Sequence, residues 1–285
     1  MSTRQEELIM KIAVTMVSMG KSYSEGKTDV RSFIEFCRKI GVDGVDLLEY
    51  YWKDKSKEVK EVPKWLQDNN LILSAYAVGN DFTKADKSER QKQIDYVKRG
   101  IDTAADLGAD KMRVFGGHPL PGFSREDCLN MIIDSFYPCV EYAAECGVVL
   151  ALENHGDMPG ISEEVIKILK AINSPYLKCN IDVANFMAEH MEATESPVVA
   201  TQNLISYGVH SHVKDLAYFP DNPKVLEGCV LGEGIVPLKE CLQVFKNANY
   251  RGHLSLEFEG QKHIDEATGV RKSIVNLKAL LNELD

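Results

Sequence analysis

Glu153, Asp182, His212 and Glu257 each fall at or near the end of a different strand-like run: VVLALE, YLKCNID, VHSHVKD and HLSLEFE. One carboxylate at a strand end is commonplace. Four potential ligands at equivalent points of an alternating strand–helix chain point to one shared site. Three carboxylates and one imidazole make a hard, mostly oxygen donor set. Such a set suits Mn2+ or Mg2+, with Zn2+, Co2+ and Fe2+ as further candidates. An ion held by four protein groups keeps one or two positions open for substrate oxygens. There it polarises a carbonyl and stabilises an enediolate as charge develops. Two carboxylates on opposite sides of the substrate can serve as general acid and base. The competing reading is a set of buried polar residues satisfied by hydrogen bonds alone.

The elements that must position these groups alternate through the whole chain. Strand patterns are expected at 12–17, 43–50, 71–77, 111–115, 148–153, 177–182, 209–214 and 252–258. Helical patterns are expected at 28–40, 57–69, 88–107, 125–146, 162–172, 198–207, 238–248 and 268–284, with Gly108 and Gly147 as stops. Residues 215–236 read as a long loop. Val, Ile and Leu dominate the strands, as expected where both faces are covered. Eight strand–helix units fit a closed barrel of parallel strands better than an open sheet. The fold class is therefore α/β, a single (β/α)8 TIM barrel over residues 1–285. Active sites of this fold lie at the C-terminal ends of the strands.

Side chains alternate along a strand. That alternation puts Glu153, Asp182, His212 and Glu257 on the inward face of four strands in one phase. It also turns Asp46, Arg113, His210 and Lys214 inward. Asp46 and Arg113 are expected to pair as buried ions, and His210 to be a core histidine below His212.

The chain has 285 residues, 44% of them hydrophobic, enough for a sizeable core. Lys and Arg number 33 against 43 Asp and Glu, a formal charge of −10. Without a basic cluster, this charge argues against nucleic acid as a partner. The seven cysteines are scattered and form no CxxC pair, so they read as thiols in a reducing compartment. The opening MSTRQEELIMKIAV lacks the pattern of a secretory signal, and no run reaches the length of a membrane span. A cytoplasmic protein without membrane contact is the expectation.

From about Ile12 to Leu284 the chain resembles the xylose-isomerase-like barrels, in particular the sugar-phosphate isomerase/epimerase group that includes ketose 3-epimerases. The resemblance is carried by ALENHG (151–156), NIDVANF (180–186), HSHVKD (210–215), LGEGIVP (231–237) and GHLSLEFEG (252–260). It implies a metal held by Glu153, Asp182, His212 and Glu257, with Mn2+ foremost. It also implies that Glu153 and Glu257 are the acid/base pair that moves a proton between faces of a substrate carbon. The implied partner is a small carbohydrate, and the implied assembly a homodimer or homotetramer.

Two departures bear on substrate recognition. Asn185 stands where ketose 3-epimerases carry a histidine, and Lys214 is the nearest cation where they carry an arginine. His155 and His118, in loops after strand runs, are candidate substrate contacts together with Asn185 and Lys214. The leading reading is a metal-dependent isomerase or epimerase of a carbohydrate or oxo-sugar. The alternative is a lyase on the same scaffold: a dehydratase, a decarboxylase or an enzyme cleaving a C-glycoside or oxo-sugar. A DNA-repair endonuclease of the same superfamily fits poorly, since that group builds a three-zinc site from many more histidines. A barrel acting only as a binding subunit would show no bound metal on elemental analysis.

Overall fold

The computed structural model describes residues 10–155, 157–187 and 194–284. The polar opening 1–9 and Gly156 of the ALENHG motif lie outside them. Strands β1 (Lys11–Thr15), β2 (Gly44–Leu48), β3 (Ile72–Ala77), β4 (Lys111–Val114), β5 (Val149–Glu153), β6 (Leu177–Asp182) and β7 (Gly208–Val213) run parallel. Numbered along the chain, β8 (Asp215–Phe219) and β9 (Asn222–Cys229) follow as a hairpin, and β10 (His253–Leu256) is the last barrel strand. The closed order is β1-β10-β7-β6-β5-β4-β3-β2. The molecule is a (β/α)8 barrel.

Helices α1 (Gly20–Ser24), α2 (Val30–Ile40), α3 (Lys55–Asn69), α4 (Lys87–Asp106), α5 (Arg125–Cys146), α6 (Ser162–Ile172), α7 (Pro197–Leu204), α8 (Leu238–Asn247) and α9 (Glu266–Asn282) lie between and after the strands. In the longer helices the apolar residues recur at three- and four-residue spacing. In α2 the buried set is Val30, Phe33, Ile34 and Cys37. These stripes cover the outward strand residues, such as Leu150, Leu152, Ile181 and Leu254, all fully buried. Burying each such side chain contributes about 1.5–3 kcal/mol.

Local chemistry sets the helix ends. Asp29 accepts the Ser32 N–H at 2.8 Å, and Ser32 Oγ in turn accepts the Asp29 N–H. Gly108 and Gly147 take left-handed backbone, φ 75° and 71°, and stop α4 and α5 as the sequence predicts. The cysteines are free; Cys146 is half-buried and the others are buried. Among the described residues no helix is long and apolar enough to cross a membrane.

Two expectations are corrected. The first strand stops at Thr15, because Met16–Met19 turns into a 3-10 helix. Residues 215–236, read as a loop, hold the antiparallel hairpin β8–β9 outside the barrel. The turn residues Pro220–Asp221–Asn222 between two short apolar runs, Leu216–Phe219 and Val225–Leu226, are the weak signal that marks it.

Candidate metal centre

β5 ends at Glu153, β6 ends at Asp182, β7 carries His212 one residue before its end, and Glu257 directly follows β10. The Glu257 N–H donates to Val213 O at 3.0 Å, which continues the ladder by one residue and fixes the direction of the side chain. One ligand atom from each of Glu153, Asp182, His212 and Glu257 lies within 4.8 Å of the other three, and all four residues are buried. Register makes this possible: Asp182 pairs with His212 on the adjacent strand, and His212 with Ser255, two residues before Glu257.

Each carboxylate is held by neighbours of defined charge. Glu153 Oε2 lies 3.1 Å from Arg113 Nε, and Oε1 lies 3.3 Å from both His212 Nδ1 and Asn185 Nδ2. Burial pushes the Glu153 carboxyl up, but His212 and Arg113 more than offset this and hold it well below its usual range. Asp182 Oδ1 accepts the N–H groups of Ala184 and Asn185 at 2.9 and 3.1 Å. Its Oδ2 faces Lys214 Nζ at 3.3 Å. Burial, with Glu257 and Glu153 adding to it, pushes Asp182 up to about 7 despite Lys214. Burial also raises Glu257, yet Lys214, 3.1 Å away, and His212 bring it down to about 2.

This arrangement tests whether a cation fits. Glu153 Oε2 and Asp182 Oδ2 are buried and, among the described residues, accept no hydrogen bond. Burial disfavours a charged His212, but Glu153, Glu257 and Asp46 around it raise its pKa well above the usual value. A divalent ion at the point where these atoms converge would take the place of that proton. The donor set, three carboxylates and an imidazole nitrogen, fits a hard divalent ion.

The other sequence-derived candidates divide. Asn185 comes to the cluster, but its amide is engaged: Nδ2 also donates to Asn154 O at 3.0 Å. Lys214 bridges Asp182, Glu257 and Glu259. His155 stacks on Phe115 with centroids 4.2 Å apart, and Phe115 lies 3.9 Å above the Arg113 guanidinium. Burial brings His155 down to about 4, so it is neutral at pH 7. His118 stands exposed on the loop after β4, with its backbone N–H on Thr83 Oγ1 at 2.9 Å. The Asp215 carboxylate accepts the N–H groups of Gly232, Gly234 and Val236 and so clamps the LGEGIVP turn. Glu233 lies in that turn.

The expected Asp46–Arg113 pair is not formed. Arg113 pairs with Glu153 on the adjacent strand β5, where Arg113 is in register with Ala151. Asp46 reaches across the barrel to His210 Nε2 at 2.9 Å. Sequence reasoning also missed Asn154, whose side chain brackets Asp182: Oδ1 accepts the Asp182 N–H at 3.0 Å and Nδ2 donates to its carbonyl at 2.9 Å. Its position next to Glu153 in ALENHG is the available signal.

The family model for the xylose isomerase-like TIM barrel matches residues 34–280. The chain belongs to this family. Among curated relatives, L-ribulose-5-phosphate 3-epimerase UlaE of Escherichia coli K12 is 24% identical over 190 residues. That match covers 66% of this chain and 63% of the relative's length. Two solved structures superpose along nearly the whole chain. The IOLI protein, whose crystal structure contains a zinc atom, gives a TM-score of 0.80 at 16% identity over 97% of this chain and 99% of its own. A D-tagatose 3-epimerase-like protein gives 0.75 at 21% identity over 96% and 98%.

Proposed function

We propose that this protein is a divalent-metal-dependent isomerase or epimerase acting on a carbohydrate or oxo-sugar. The observation that carries the reading is the convergence of Glu153, Asp182, His212 and Glu257 ligand atoms within 4.8 Å at the C-terminal rim of the barrel. The kinship with UlaE and the zinc-containing IOLI fold supports it. These four residues would hold the ion, with Mn2+ the best match to an oxygen-rich set. A bound cation would supply positive charge against the oxyanion that develops on a substrate carbonyl when the neighbouring carbon loses its proton.

The protein's own groups do the rest. Glu257 and Glu153 are the acid/base pair: one carboxylate takes the proton from the carbon next to the carbonyl, and the other returns one to the opposite face. Both are held ionised, Glu153 by His212 and Arg113, Glu257 by Lys214 and His212, so either can accept the substrate proton, and the one that acts as acid first takes its proton from solvent. Lys214 also offers N–H donors to a substrate hydroxyl or carboxylate. The neutral His155 ring on Phe115 gives the substrate an aromatic wall and a neutral hydrogen-bonding group. His118 lies on the rim, where it meets the distal end of a longer substrate.

Incubation of the Mn2+-loaded protein with ketoses and 3-oxo sugars in D2O, followed by NMR, tests the reading. The expected result is deuterium at the carbon next to the carbonyl with the carbon skeleton retained. Loss of water or of a carbon fragment would identify the lyase alternative. Absence of exchange across both substrate classes would sink the proposal.

A further inference from the structure

Asp46 lies on β2, across the barrel interior from β7, and is 1% exposed. Its Oδ2 is 2.9 Å from His210 Nε2 and 3.6 Å from His212 Nε2. Ser74 Oγ donates to its other oxygen, Oδ1. His210 and His212 are two residues apart and share the inward face of β7, with rings edge to face 5.5 Å apart. The opposite edge of His212 faces the acidic cluster, with Nδ1 3.3 Å from Glu153 Oε1 and 3.6 Å from Glu257 Oε2.

A neutral imidazole carries its hydrogen on one nitrogen and a lone pair on the other. An ionised carboxylate only accepts hydrogen bonds, and with Glu153 and Glu257 given over to a cation on the proposed reading, Asp46 is the carboxylate left to accept a hydrogen from His212. We propose that Asp46 is a positioning residue of the cation site, holding the hydrogen of His212 on Nε2 and leaving the Nδ1 lone pair to the ion. His210 and Ser74 fix Asp46 in turn and stop its carboxylate from rotating away. Without Asp46 the hydrogen would go to Nδ1, where Glu153 accepts it, and His212 could no longer ligate. At 3.6 Å the Asp46–His212 contact is longer than a hydrogen bond and acts through charge; a shift of a few tenths of an ångström brings it to bonding distance.

The inference rests on the reading that a divalent cation binds among Glu153, Asp182, His212 and Glu257, and titration separates the two. Wild-type protein and Asp46→Asn are titrated with Zn2+ against a competing chelator. The expected result is one equivalent bound by both, with affinity 10- to 100-fold weaker in the variant. Failure of the wild type to bind removes the metal reading and this inference with it. Equal affinities overturn the inference alone. A second equivalent in the wild type that is lost in Asp46→Asn would make Asp46 a ligand and also overturn it. If Asp46→Asn does not fold, the wild type decides. In Zn2+-loaded protein with 15N-labelled histidine, His212 is expected to carry its hydrogen on Nε2, and a hydrogen on Nδ1 would refute the assignment.

Discussion

Glu153 is gripped by Arg113, His212 and Asn185, and Glu257 by Lys214 and His212. On the proposed assignment both carboxylates transfer protons. Glu153→Gln and Glu257→Gln should each lower kcat by about 10²–10⁴-fold, since that is what a positioned acid or base contributes. A steady-state assay on the ketose or oxo-sugar turned over by the wild type checks this, and a near-normal rate would reassign the residue. Lys214 supports a different prediction. Its ammonium offsets Asp182, Glu257 and Glu259, and removing one partner of a buried ion cluster costs about 3–5 kcal/mol. Lys214→Met should lose that much in the chelated protein, and clearly less in saturating Mn2+, where the ion supplies the missing charge. Urea melts with and without Mn2+ measure the difference.

At the scale of elements, capping is a separable contribution. Asp29 caps α2, with Ser32 and Lys53 as its partners. Burial would raise its carboxyl above 3.8, but the Ser32 N–H and the Lys53 ammonium hold it at about 2. A depressed carboxyl stabilises the fold above its ordinary value and loses that contribution as pH falls through the folded value. Asp29→Ala should therefore cost about 1 kcal/mol at pH 7. The gap between variant and wild type should close between about pH 4 and pH 2. Denaturant unfolding across that range tests it, and a gap that stayed constant would place the effect elsewhere. The strands and main helices were legible because their periods, two and 3.6, are written in local order. The β8–β9 hairpin was not, since an exposed two-stranded ribbon has a weak apolar pattern. Its half-exposed Tyr218 and Val225 show how little of it is buried.

At the scale of the molecule, the barrel gathers like charges that the folded state must tolerate. Asp46, Glu153, Asp182 and Glu257 share one buried interior with Arg113 and Lys214. A cation that binds only the folded chain stabilises it by mass action, about 2.7 kcal/mol at a concentration 100 times Kd. Chelation should lower the Tm by several degrees, and Mn2+ should restore it with a dependence on concentration. Calorimetry with and without chelator measures this, and an unchanged Tm would contradict cation binding at the cluster.

Residue order along each strand sets which faces carry chemistry. Alternation is a property of each strand, so one phase shared by the runs ending near Glu153, Asp182, His212 and Glu257 was readable before any folding. Which residues meet across the interior follows from the closed barrel. Arg113 turned to Glu153 because β4 lies beside β5, and Asp46 turned to His210 because barrel closure brings β2 to face β7. Both pairings depend on strand order and stagger, which arise only when the sheet closes on itself and so leave no mark in the local pattern of residues.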